Sequence, residues 1–276
     1  MFIYFIFVVT ILGFIFGSFL NVVSLRFNTG KSINGRSMCM SCSKTLSWYE
    51  LIPVVSWIIQ KGRCRTCSSK ISFELLASEL LTGLFFGLIA ARGFFMNEVS
   101  LDISYITGTV YLLVIFSILV VVLFYDFRHK IIPDELSLGF AILAFIGMFF
   151  FDSSFSYVNF HVPGIWNILA GILVPLPFAL VWFFSKGRLI GLGDPKLMVG
   201  IGCLLGVERG FSAVFASFWI GSIFALFIFA VDKLYRKNLV LKGKKSIMSM
   251  EIPFAPFLVL GTLVVVVFGL NVLHLS

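Results

Sequence analysis

Eight apolar runs constrain this chain more than any other feature. Seven are of span length, near residues 2–25, 71–91, 107–125, 136–151, 165–185, 211–231 and 252–274, and a shorter one covers 196–207. About 20 apolar residues match the hydrocarbon thickness of a bilayer, so most of the 276 residues are given over to crossing one. A mean hydropathy of +1.06 with only 12% charged residues lies far from soluble domains, where about 25% of residues are charged. The expectation is an all-α integral membrane protein of about eight transmembrane helices, the short run being accommodated within the bundle. The first run lacks a basic segment and an A-x-A-like cleavage site, which reads as a retained helix. The 34 phenylalanines are spread through every run and mark no site.

With eight spans, connections 26–70, 126–135, 186–196 and 232–251 share one side. Nineteen of the 21 Lys and Arg fall in them, leaving Arg92 and Arg209 on the other. The positive-inside rule assigns the four basic connections to the cytoplasm and both termini to the outside. The net charge of +8 is therefore topological. Its partner is the bilayer, and no nucleic acid partner is expected.

The long connection 26–70 carries Cys39-Met40-Ser41-Cys42 and Cys64-Arg65-Thr66-Cys67. Each C-x-x-C places two thiolates on one turn, and two such turns complete a tetrahedral Cys₄ set, so the spacing predicts a small zinc-binding loop. Lys44, Arg63 and Arg65 favour the thiolates, and a cytoplasmic location disfavours the alternative of two disulfides. With four cysteine ligands the zinc is expected to be structural, since no position is left for water. The intervening segment from Trp48 to Trp57 is too apolar for a solvated loop and is expected to lie at the membrane interface. Cys203, within an apolar run, reads as ordinary packing.

Acids at span ends need a reason. Asp126 ends the third run, and Asp194 follows the turn Gly191-Leu192-Gly193 into the short one. Both arrive at the cytoplasmic ends of their helices in the topology above. Two adjacent aspartates hold one proton between them, which is the chemistry of an aspartic protease: one carboxylate activates water while the other, protonated, hydrogen-bonds the peptide carbonyl. Structural readings stand beside this one. Asp194 before Pro195 is also an N-cap with proline at N1, and Asp126 is also an interfacial acid paired with Arg128. Asp134, in Pro133-Asp134-Glu135, reads as the cap of the fourth helix. Glu74 and Glu79, five residues apart on a helix, point in different directions. Glu74 is interfacial, whereas Glu79 lies two turns in, where an acid is a functional candidate. His129, His161 and His274 form no triad, and there is no H-E-x-x-H, P-loop or dinucleotide motif. A proton- or ion-coupled transporter relaying through Asp126, Asp194 and Glu79 is the rival reading, which flux in liposomes without substrate would favour.

Read together, Gly17-Ser18-Phe19-Leu20-Asn21-Val22-Val23, Gly35-Arg36-Ser37 with the first C-x-x-C, Leu46-Ser47-Trp48-Tyr49-Glu50-Leu51-Ile52-Pro53, Gly62-Arg63-Cys64-Arg65, Glu79-Leu80-Leu81-Thr82-Gly83, the Asp126 to Asp134 segment and Gly191-Leu192-Gly193-Asp194 resemble the bacterial type IV prepilin peptidases, or leader peptidase/N-methyltransferases. The match covers nearly the whole chain. It departs from the family where a Tyr-Pro is common before the Glu79 segment and a Leu-Pro after Arg26. The resemblance implies a G-x-G-D intramembrane aspartic protease, similar to presenilin, in the bacterial inner membrane with its active site toward the cytoplasm. It further implies cleavage of prepilins or pseudopilins after a glycine that ends a short basic leader, then N-methylation of the new terminus from S-adenosylmethionine. By position Asp126 and Asp194 match the catalytic pair, and Cys39, Cys42, Cys64 and Cys67 the zinc set. Glu79 and Gly83 are the nominations for the methyl-donor site. Residues 1–105 then form the amino-terminal region with the zinc loop and the methyltransferase, and 106–276 the peptidase domain.

Overall fold

The computed structural model describes residues 1–28, 35, 37–39, 41–96, 101–152, 155–238 and 252–273. Of the positions named above, Arg36, Met40 and His274 lie outside the described residues, as do Lys31, Lys242, Lys244 and Lys245 among the basic residues counted in the connections. In chain order the helices are α1 (Phe2–Arg26), α2 (Val55–Ile59), α3 (Phe73–Phe95), α4 (Ile103–His129), α5 (Asp134–Gly147), α6 (Ile165–Leu173), α7 (Leu176–Ser185), α8 (Gly193–Asn238) and α9 (Ala255–Phe268). Among the described residues no strand forms; isolated antiparallel bridges join Met38 to Thr45 and Arg63 to Lys70.

Among the described residues each of the eight apolar runs is helical over most of its length. Five helical stretches are long and apolar enough to cross a membrane: Phe2–Arg26, Phe73–Phe95, Ile103–His129, Ile165–Ser185 and Gly193–Val231. Ala255–Phe268 is a shorter apolar helix. Its 14 residues, like the 14 of α5, extend about 21 Å at 1.5 Å per residue. Two breaks have local causes. Pro175 and Pro177 lack the N–H groups that would continue α6, so the run 165–185 is divided into α6 and α7. Inside α8, Gly206 has φ +76 and ψ −174, a backbone state open to glycine alone. It separates the short run from the long one that follows.

The chain divides into two compact units, Met1–Tyr125 with Phe155–Val158, and Asp126–Ser154 with Asn159–Ser276. In the first, α1 and α3 pack through two G-x-x-x-G faces, Gly13 with Gly17 and Gly83 with Gly87. A Cβ on Gly13 would lie 2.8 Å from the Gly83 Cα, and one on Gly17 2.7 Å from the Glu79 Cα. Lipid tails are as apolar as leucine, so helices in a bilayer associate through close backbone approach of this kind. At the far end of α3, Arg92 is fully buried. Its guanidinium donates to Thr109 Oγ1 and to the Phe155 carbonyl, both at 2.6 Å, and stacks 4.1 Å from the Tyr105 ring. The sequence count treated Arg92 as a loop charge; its partners draw it into the helix packing instead.

In the second unit α8 is the hub, with α5, α6 and α9 packed on it. Leu197, Met198 and Ile201 of α8 and Leu258 and Val259 of α9 are buried in this core, which fixes the first turn of α8.

Candidate active site and metal centre

Asp126 sits in the last turn of α4 and is 5% exposed. The helix stops three residues later, where Lys130 takes a left-handed φ of +55 and its N–H donates to the Asp126 carbonyl at 2.7 Å. Pro133 then bars any continuation and α5 begins at Asp134. The residue in the N-cap position is Pro133, with no side-chain cap. The capping role expected of Asp134 is not what the structure has. Its carboxylate accepts from Lys196 Nζ at 2.7 Å instead, because the first turn of α8 brings that ammonium within reach.

Asp194 lies in that same first turn. The helix starts at Gly193, two residues earlier than the N-cap reading of Asp194 requires. Gly193 is squeezed: a Cβ there would sit 3.0 Å from the Ile132 Cβ, whereas one on Gly191 would meet nothing within 4 Å. The two glycines therefore differ. Gly193 lets the 131–133 segment close against the turn, and Gly191 faces open space, where an extended chain could approach.

Asp126 and Asp194 line one cavity of about 750 Å³, together with Lys130, Arg188, Phe218 and Pro253. They are close enough to interact electrostatically. Ile252, Pro253 and Phe254 complete the wall, with the Phe254 ring 4.8 Å from that of Phe218. Sequence reasoning missed this contribution from the start of α9. Pro253-Phe254-Ala255-Pro256 reads as an ordinary helix start, and nothing in its composition announces a catalytic neighbour.

The four-cysteine loop is built from one turn used twice. In the first copy Cys39 N–H donates to the Lys44 carbonyl and Ser43 N–H to the Cys39 carbonyl. In the second Cys64 N–H donates to the Ser69 carbonyl and Ser68 N–H to the Cys64 carbonyl, all four at 2.9 Å. Ser43 and Ser68 both turn left-handed, at φ +54 and +56. The four Sγ atoms lie within 4.8 Å of one another, and those of Cys39 and Cys67 are 3.8 Å apart. That is the edge of a tetrahedron with zinc–sulfur bonds of about 2.3 Å. Backbone N–H groups of Cys42 and Ser41 pull the Cys39 thiol down to about 6, and the Ser69 hydroxyl lowers that of Cys67. Cys42 is held up at about 11, against the N–H of Lys44, by burial and the neighbouring sulfurs. Such a set cannot ionise fully without a cation, and it is compatible with zinc.

Glu79 and Gly83, one turn apart on α3, do not join either cluster. Glu79, 3% exposed, accepts the Val54 N–H at 2.7 Å and hydrogen-bonds the Ser18 side chain. Val54 has φ +62, a strained state for a β-branched residue. Gly83 lies under the Phe14 ring. Glu79 thus holds the apolar segment of the loop onto the helices. Trp48 in that segment, and Ile58 and Ile59 just after it, are exposed.

The bacterial peptidase A24 N-terminal domain matches residues 11–93, and the type IV leader peptidase family matches 113–226. The chain is 28% identical over 260 residues to a prepilin leader peptidase/N-methyltransferase of Bacillus subtilis (strain 168), covering 94% of this chain and 92% of that protein. To a protein of the same description from Klebsiella pneumoniae it is 30% identical over 204 residues, covering 70% and 82%. One from Vibrio cholerae is 29% identical over 208 residues, covering 72% and 77%. No solved structure matches. The family match spans both units, and the second contains the two aspartates and their cavity: the chain belongs to the type IV leader peptidase family.

Proposed function

We propose that this protein is a prepilin leader peptidase and N-methyltransferase, with Asp126 and Asp194 as the catalytic pair. The single observation that carries the peptidase site is the shared cavity. Two carboxyl groups from helices distant in sequence line one opening large enough for a peptide segment. One carboxylate takes a proton from water as its oxygen bonds to the scissile carbonyl carbon; the other gives its proton to the carbonyl oxygen. Collapse of the resulting diol breaks the C–N bond, and the departing nitrogen takes up a proton. Family membership favours this reading over a transporter.

The substrates are type IV prepilins or pseudopilins, cut after the glycine that ends their basic leader. The protein resides in the bacterial inner membrane with the cavity toward the cytoplasm, a placement supported by the positive-inside count. Cys39, Cys42, Cys64 and Cys67 hold a structural zinc ion. Residues 1–105 form the amino-terminal region that supports methyl transfer and 106–276 the peptidase. S-adenosylmethionine supplies the methyl group, and Glu79 with Gly83 mark the region of α3 nearest that function.

Mass spectrometry of a candidate pilin's N-terminus, with and without the purified protein in liposomes and with S-adenosylmethionine supplied, reports both activities. The reading requires loss of the leader and a gain of one methyl group. Intact prepilin after incubation, or cleavage retained by Asp126→Ala or Asp194→Ala, removes it.

A further inference from the structure

The two cysteine knuckles are closed in the same way. An antiparallel bridge joins Met38 to Thr45 around the first and Arg63 to Lys70 around the second. Inside each, the residue preceding the far bridge partner accepts the N–H of the leading cysteine, Lys44 from Cys39 and Ser69 from Cys64, at 2.9 Å in both. Lys44 and Ser69 therefore hold the same post in the two copies, Cys-Met-Ser-Cys-Ser-Lys and Cys-Arg-Thr-Cys-Ser-Ser. Only the second has a side-chain hydroxyl there.

We infer that this hydroxyl is an outer partner of the metal centre: Ser69 hydrogen-bonds the sulfurs at the edge where the two knuckles meet, and so steadies the thiolates that hold the zinc ion. The inference rests on the zinc site proposed above and adds a residue that positions two of its ligands.

Ser69 Oγ lies 3.1 Å from Cys67 Sγ and 3.7 Å from Cys39 Sγ. Those two sulfurs, 3.8 Å apart, come from different knuckles, so a single hydroxyl spans the seam between them. A thiolate has no proton and can only accept, whereas a serine hydroxyl has one to give. With the metal bound the direction of the bond is thus fixed, with Cys67 as the nearer acceptor and Cys39 as the alternative. The hydroxyl is also held in place, because the Ser69 carbonyl is tied to the Cys64 N–H and its neighbour Lys70 to Arg63.

Four thiolates carry more negative charge than one zinc ion neutralises. A donor to sulfur spreads that excess and fixes the orientation of the ligand, which is how groups outside the ligand set tune a metal site. The edge concerned is the open one. Cys64 is buried, whereas Cys67 is exposed and Cys39 partly so, so acid, electrophiles and competing ligands reach the sulfurs beside Ser69 first.

Ser69→Ala removes the donor and Ser69→Thr keeps it. The full-length protein, loaded with zinc in detergent, is titrated with a chromophoric chelator of known affinity. Ser69→Ala should hold zinc about ten- to a hundredfold more weakly than the wild type, and Ser69→Thr should recover most of the loss. An alanine variant with wild-type affinity overturns the inference, as does a threonine variant no better than the alanine one.

Alkylation with zinc in excess, read peptide by peptide in a mass spectrometer, separates a lost hydrogen bond from a loosened loop. Cys67 should react faster in Ser69→Ala while Cys42 is unchanged; an even rise over all four thiols overturns the assignment. Wild-type protein that carries no zinc in elemental analysis would instead sink the metal centre itself, so the two failures are distinguishable.

Discussion

The four thiols are gathered by two copies of one local turn, whereas the two aspartates meet only because three helix ends do. In the cysteine loop the four backbone hydrogen bonds that repeat between the two knuckles each join residues four or five apart. In the cavity, Asp126 closes α4, Asp194 opens α8 and Phe254 leads into α9, so their meeting depends on how α8 and its neighbours pack. A locally built centre takes its geometry from short-range contacts and needs a cation to offset the charge of its thiolates. A centre built from helix ends is correct only when the whole bundle is.

Changes at the aspartates should show the largest effect. Asp126→Ala or Asp194→Ala should lower leader cleavage about a thousandfold or more while membrane insertion, followed by fractionation, is unchanged. Less drastic is a loss of the metal: Cys39→Ser should abolish bound zinc in elemental analysis. It should reduce protein level or methylation more than the chemistry of cleavage, and an unaltered zinc content would break the contrast from the other side.

In metal-free protein the cysteines should separate by reactivity. At pH 7 Cys39, lowered from its ordinary 9.0 to about 6, should alkylate about tenfold faster than Cys42, which sits at about 11. Because the Cys39 value is depressed in the folded loop, its contribution to the loop's conformation is present above pH 9.0 and is lost as pH falls through about 6. Mass spectrometry of the labelled peptides across pH checks both statements.

Smaller effects test how the Asp194 turn is held. Gly193→Ala, which brings a methyl against Ile132, should cost about three- to tenfold in kcat, and Gly191→Ala, which meets nothing, much less. Lys196→Ala should matter least. Its partner Asp134 is 71% exposed, and an exposed pair contributes at most about 1 kcal/mol.

The same contrast governs what the sequence could disclose. The C-x-x-C spacing is local, so the cluster can be read from four letters and their intervals. The apolar runs are equally local, and each became a helix, while Pro175 and Gly206 decided where two of them break. The aspartates were legible because carboxylates at span ends are rare and G-x-G-D is distinctive. The wall supplied by Ile252, Pro253 and Phe254 was not, since an apolar helix start carries no mark of what it packs against. Asp134 looked like a cap because local preference was weighed without Lys196, a residue 62 positions away. The glycines of α1 and α3 carry a recognisable four-residue spacing on both helices, a signal present but unread. Glu79 stood out as a buried acid, and only the fold supplied the strained Val54 N–H that it accepts.

Arg92 bears on how the chain is made. Its carbonyl acceptor on Phe155 lies 63 residues downstream, and at roughly 5–20 residues per second the ribosome needs several seconds to deliver it. Until then α3 holds a guanidinium with part of its coordination missing in or near the lipid, where such a charge is costly. The newly made hairpin must wait at the translocon, or dip its end into the headgroups, before the arginine can settle.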